Sequence, residues 1–164
     1  MNTALLSTII SASVAIFIAV LNHFIITPIK ERKKRKEDQL KVLYSPLYSL
    51  ICLRATIGKN ISLTHGKLAL GSLGHIEYQK QEYMEQMIMD RSGYCLDDLM
   101  DAWVNYSSKL PPYKAEYAEA LVIAVVKGYN KLRKELRMAY NREELETGIP
   151  EVIEEYRTIM LDEE

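Results

Sequence analysis

Three histidines, His23, His65 and His75, are the side chains best suited to metal or proton chemistry, and their spacing gathers them into no recognised ligand pattern. His75-Ile76-Glu77 matches the opening of the zinc-deaminase signature, but no Pro-Cys-x-x-Cys follows it. No His-Glu-x-x-His occurs. The acidic pairs Asp97-Asp98, Glu143-Glu144 and Glu154-Glu155 are adjacent, so on a helix their side chains diverge by about 100° and read as solvated faces. Gly66-Lys67 lacks the glycine spacing and the Ser or Thr of a phosphate-binding loop, and Gly71-Ser72-Leu73-Gly74 is too short for a dinucleotide fingerprint. Cys52 and Cys95 stand apart in no CxxC pattern and read as buried reduced thiols. No Ser, Cys or Thr occupies a recognised nucleophile context. The sequence therefore predicts no catalytic residue, no metal site and no cofactor.

Charge is sorted along the chain. Residues 1–29 contain no Asp, Glu, Lys or Arg, residues 30–41 carry a net +4, and residues 42–164 carry a net −5. From Ala4 to Ile26 the chain is apolar enough, and at about 35 Å of helix long enough, to cross a bilayer. Thr27-Pro28 marks its end, because proline cannot continue the hydrogen-bond ladder without a break or kink. No basic region precedes the apolar run and no small-residue cleavage site closes it, so it reads as a retained anchor rather than a signal peptide. Lys30, Arg32, Lys33, Lys34, Arg35 and Lys36 follow at once. By the positive-inside rule this collar stays in the cytoplasm and the N-terminus lies outside. The same cations are candidates for contact with anionic lipid headgroups.

Within the apolar run, Ser7, Ser11, Ala15 and Ala19 recur every fourth residue, a stripe of small side chains that lets a second membrane helix approach closely. They are the candidate self-association residues. Asn22 and His23 read as interfacial anchors. The collar has no interleaved aromatics and the remainder of the chain is acidic, which excludes nucleic acid as an expected partner.

Beyond a polar stalk, Ser45-Pro46 reads as an N-cap and first helical residue, predicting a helix from Pro46 to about Ile57, with a kink inside one long helix as the alternative. Gly58, Gly66, Gly71 and Gly74 predict a loop, with a short helix around Leu63 to Leu70. Ile76, Tyr83, Met84, Met87 and Ile88 keep helical spacing up to Arg91-Ser92-Gly93. Leu96, Leu99, Met100, Trp103, Tyr106 and Leu110 do so up to Pro111-Pro112. The longest helix after the anchor is predicted from Tyr113 to Asn141, passing through the middle of the domain, and Gly148-Ile149-Pro150 precedes a last one. Eleven tyrosines against two phenylalanines suit half-buried rim positions or a partner-binding face. No strand pattern and no internal repeat is found.

The uncharged span, the Lys/Arg collar and then Tyr44-Ser45-Pro46-Leu47-Tyr48 opening a helical region resemble many small uncharacterised membrane-anchored proteins of bacteria and their phages, over about the first 50 residues. That resemblance implies a setting and no activity. The sequence thus predicts an all-α chain: a transmembrane anchor over 1–29, a basic juxtamembrane stalk over 30–45, and a small cytoplasmic helical bundle over 46–164. Its expected role is a single-pass inner-membrane adaptor or regulator, not an enzyme, that recruits a cytoplasmic protein partner. The alternative is a membrane-active effector, of phage lysis, exclusion or defence type, that forms homo-oligomers through its anchors.

Overall fold

The computed structural model describes residues 3–65, 81–108 and 115–154, with side chains over 11–57, 82–108 and 116–154. The expectations placed on Ser7, His65, His75, Gly66, Gly71, Gly74, Pro111, Pro112 and the apolar positions beyond residue 154 concern groups outside that description. Every regular element among the described residues is helical. Contacts gather them into two compact units, Met1–Lys36 and Glu37–Glu164.

The backbone is helical without a break from Thr3 to His65: α1 (Thr3–Leu21), a π turn over Asn22–Ile26, α2 (Thr27–Gln39), a second π turn over Leu40–Tyr44, and α3 (Ser45–His65). This corrects the expected fresh start at Pro46. Ser45 has helical dihedrals, φ −65 and ψ −46, where an N-cap would be extended. The prolines explain the π turns. Proline donates no N–H and crowds the carbonyl four residues back. Just ahead of each proline the chain widens instead, so the Thr27 N–H reaches the Asn22 carbonyl and the Ser45 N–H reaches the Leu40 carbonyl, five residues back. The Thr27 hydroxyl donates to the same Asn22 carbonyl at 2.9 Å. Gly58, expected in a loop, lies inside α3; one interior glycine costs only about 1 kcal/mol relative to alanine.

In the unit Glu37–Glu164 the core is built from stripes at helical spacing. Leu40, Leu43, Tyr44, Leu47, Leu50 and Ile51 line one side of the first helical run. Met84, Met87 and Ile88 come from α4 (Gln81–Asp90), and Leu99 and Trp103 from α5 (Asp97–Ser107). Leu121, Val125 and Leu132 come from α6 (Ala115–Glu135), which packs against α5, α3, the Leu40–Tyr44 turn and the next helix. α6 is therefore the central element, as its apolar stretch predicted. It comes close to the first helical run at Gly128, where an added Cβ would collide with Tyr44 Cε1. The Tyr44 hydroxyl, fully buried, accepts the Leu96 N–H at 3.0 Å, and the Gln39 side-chain amide donates to the Tyr94 carbonyl at 3.2 Å. These two bonds fasten the turn before α5 to the first helical run.

α6 ends at Glu135, short of the expected Asn141. The Met138 N–H returns to the Arg133 carbonyl and the Arg137 N–H to the Lys134 carbonyl, the paired closing bonds of a Schellman motif. Arg137 holds the left-handed position at φ 59, which disfavours a side chain by about 1 kcal/mol. Arg137→Gly is expected to raise the thermal midpoint of the purified chain by about 2–4 °C. Circular dichroism measures it, and an unchanged or lowered midpoint would show that the strain is absent.

Asn141 then caps a helix the sequence reading did not anticipate, α7 (Arg142–Thr147), by accepting the Glu143 and Glu144 N–H groups. Gly148 closes it at φ 79, where a Cβ would also stand 2.6 Å from Ile123 Cγ2. Residues 151–154 are helical, as expected after Gly148-Ile149-Pro150.

Candidate functional site

The predicted self-association residues lie in α1, where Ser11, Ala15 and Ala19 are exposed. An α-helix turns about 40° beyond full register every fourth residue, so the stripe winds slowly. The predicted collar residues all lie in α2, and all are exposed except Lys36, which is half-buried. At about 100° per residue, Lys30, Arg32, Lys33, Lys34, Arg35 and Lys36 are distributed round the whole circumference. The large apolar side chains from Val14 to Ile29, half-buried Leu21 apart, are exposed round the helix too, Phe17 at 63 % and Phe24 at 70 %. Within Ser11–Ile57 lies the one helix, among the described residues, that is long and apolar enough to cross a membrane.

The unit Glu37–Glu164 holds a polar site of a kind the sequence reading missed. Glu144, read as half of a solvated acidic pair, is 3 % exposed, while its neighbour Glu143 is exposed. Divergence of adjacent helical side chains is the reason: one glutamate of the pair faces water and the other must face the protein. The Glu144 carboxyl accepts the Tyr48 hydroxyl at 2.9 Å from both oxygens, the Asn130 Nδ2 at 3.0 Å, and the Glu151 N–H at 3.0 Å. Asn130, itself buried, also donates to the Val126 carbonyl and accepts the Asn141 N–H through Oδ1 at 2.9 Å. One carboxyl group thus joins α3, α6, α7 and the segment that follows Gly148.

Aromatic stacking extends the network outward. The Tyr48 and Tyr129 rings stack with centroids 4.1 Å apart and planes 9° from parallel. The Arg133 guanidinium lies 5.2 Å from the Tyr129 ring centroid and donates to the Tyr129 hydroxyl and to the Ala139 carbonyl. An open cleft of about 600 Å³ runs beside these groups. Burial, reinforced by the bond to Glu144, pushes the Tyr48 phenol far above its ordinary range, and burial does the same for Tyr44. Both hydroxyls are thereby held as donors and acceptors in structural bonds.

Chemically this arrangement fastens helices. The carboxyl accepts from three partners, and the arginine is engaged by a hydroxyl, a ring and a carbonyl. Cys52 and Cys95 are free thiols, half-buried where full burial was expected; burial pushes each up, away from thiolate formation, and Cys52 lies beside the Tyr48 side chain. No group of three or more His, Cys, Asp or Glu among the described residues could hold a metal ion. The available sequence signal was Asn141-x-x-Glu144, the spacing of an N-cap and its third helical residue. The helical periodicity that runs on past Glu135 masks it. Comparison with family models, with curated proteins and with solved structures finds no match to the chain.

Proposed function

We propose that this chain is a single-pass inner-membrane protein whose helical bundle stands on the cytoplasmic side and serves as a non-enzymatic adaptor, holding a cytoplasmic protein partner at the membrane. One observation carries the reading: an apolar helical stretch exposed over its full circumference runs directly into a stretch with cations on every side. Leaving so many large apolar side chains in water would forgo about 1.5–3 kcal/mol for each, and lipid removes that penalty. A helix lying flat on a bilayer needs one charged face and one apolar face. Cations all round suit a helix that emerges from the headgroup layer and meets phosphates on each side. The proposed division is an anchor over 1–29, a basic stalk over 30–45 and the bundle over 46–164.

A non-enzymatic role is supported by the use made of the polar groups in the unit Glu37–Glu164. Its buried carboxyl and the phenols of Tyr44 and Tyr48 hold helices together, leaving recruitment to the exposed faces.

Topology is the direct test. The native chain is expected to stay in the membrane pellet through alkaline carbonate extraction. A C-terminal fluorescent fusion should be bright and a C-terminal alkaline phosphatase fusion silent. Replacing Lys30, Arg32, Lys33, Lys34, Arg35 and Lys36 together by Ser should produce phosphatase activity in a substantial fraction of molecules. Release by carbonate, or phosphatase activity from the native collar, would overturn the placement. In-cell crosslinking that captured the chain only with itself would remove the recruitment half of the reading.

A further inference from the structure

One stretch of this acidic unit has the opposite sign. From Lys127 to Arg142 stand six cations against one acid, Glu135, a net +5, so the rest of residues 42–164 carries −10. The stretch is the second half of α6 and the Schellman turn that leads to α7, and side chains are described on both flanks, over 116–154. Lys127, Lys131 and Lys134 follow one another at four and three residues and so share one face of α6. Lys131 and Lys134 are exposed and Lys127 is half-buried. The turn adds exposed Arg137 and, next to it, two exposed side chains suited to an interface, Met138 at 46 % and Tyr140 at 38 %. Neutral groups hold two of the cations and leave their charge in place: Lys134 lies 5.8 Å from the Tyr140 ring centroid, and Arg133 meets the Tyr129 ring and hydroxyl and the Ala139 carbonyl. Arg142 is paired with Glu146 at 2.9 Å, and Glu143 is an exposed acid beside that pair.

The direction of α6 sets where this turn stands in the unit. Gly128 lies against Tyr44, while Ala118 and Leu121 share a hollow with Ile51 and Ala55, so α6 runs antiparallel to the first helical run. Its C-terminal end therefore points back towards Glu37, where the chain enters the unit from the basic stalk. The segment after Gly148 goes the other way, for Ile153 joins Ala118, Leu121 and Val122.

We propose that the α6–α7 turn is a second membrane contact, in which Lys131, Lys134 and Arg137 meet anionic lipid headgroups and Met138 and Tyr140 enter the headgroup layer. Charge complementarity and position select lipid. Cations interleaved with an exposed thioether and phenol fit an interface where phosphates lie above acyl chains. The turn stands at the end of the unit that the stalk tethers, so the contact is intramolecular and needs little affinity of its own. The acidic remainder of the unit is repelled by the same surface, so the field turns this basic end towards it. The inference rests on the membrane placement proposed above, and adds to it the lipid class and the part of the bundle that touches it.

Trp103, the chain's single tryptophan, belongs to the core and gives the baseline emission of the full chain. Met138→Trp, at an exposed position, puts a second emitter on the turn. The full chain is placed in nanodiscs whose acyl chains carry bromine, a contact quencher, made of phosphatidylcholine alone or in equal parts with phosphatidylglycerol. The introduced tryptophan is expected to be quenched in the anionic discs and not in the zwitterionic ones, with quenching relieved as salt rises. Adding Lys131→Gln, Lys134→Gln and Arg137→Gln should lower the ratio of bound to free turn about tenfold or more, while Arg91→Gln, between α4 and α5, should leave it unchanged. Equal quenching in the two lipids, or quenching that survives the three neutralisations, would overturn the proposal. So would an unquenched emitter that shifts on addition of poly-glutamate, which assigns the surface to an acidic protein. A chain that enters neither disc takes down the anchor and this contact together; one that enters both and stays unquenched takes down the contact alone.

Discussion

Glu144→Ala is expected to lower the stability of the unit Glu37–Glu164 by about 3 kcal/mol or more. The substitution takes the shared acceptor from the half-buried Tyr48 hydroxyl, from the Glu151 N–H and from the buried Asn130 amide, which keeps only its bond to the Val126 carbonyl; a buried donor that loses its acceptor costs about 1–3 kcal/mol. The effect exceeds that of deleting an ordinary surface glutamate, which stays within about 0.5 kcal/mol, because the lost acceptor serves three donors on three segments. Tyr48→Phe removes one of those donors and leaves the carboxyl with two, so it should cost about 1 kcal/mol. The double variant should then unfold close to Glu144→Ala alone, since the two side chains share one interaction. Denaturant unfolding of the four chains closes the cycle. Full additivity would mean that Tyr48 and Glu144 act independently, contrary to the 2.9 Å bonds between them.

Gly128→Ala is the second large effect, and its sign opposes helix propensity. Alanine in the interior of α6 should by itself gain about 1 kcal/mol over glycine. Here the added methyl would collide with Tyr44 Cε1 and stand 3.0 Å from both Cδ1 and Cζ. The ring has little freedom to withdraw, being fully buried and held by the Leu96 N–H. Overpacking of this kind costs about 1–3 kcal/mol and sometimes more, so a net destabilisation of about 2 kcal/mol is expected. Tyr44→Leu opens the space, and adding Gly128→Ala to it should be neutral or stabilising. If Gly128→Ala stabilises the native background instead, the close approach of α6 to the first helical run is wrong.

The contrast between these two sites and the rest of the chain marks what local pattern can convey. Met84, Met87 and Ile88, or Leu99 and Trp103, declare their buried face by spacing alone, because a helix repeats every 3.6 residues whatever it packs against. The same regularity misled at Ser45-Pro46: a proline near a plausible cap reads as a helix start, yet a widened turn upstream carries the helix through. At the far end of α6 the apolar and charged periodicity continues past Glu135, and the left-handed Arg137 that ends the helix is a residue type rarely found there. Gly128 carries no local signal at all, since a close approach is a property of two elements.

By itself the sequence determined an all-helical chain, one leading stretch apolar and long enough to cross a membrane, a ring of cations immediately after it, and a core built on stripes of Leu, Met, Trp and Val. Those properties follow from composition and period, which act over one or two turns. Tertiary structure alone decided that Glu144 turns inward while Glu143 faces water, and that Tyr48 meets it from 96 residues away. A carboxyl or a phenol can be buried only where several distant segments supply its hydrogen bonds together, and that convergence exists only once the helices have packed.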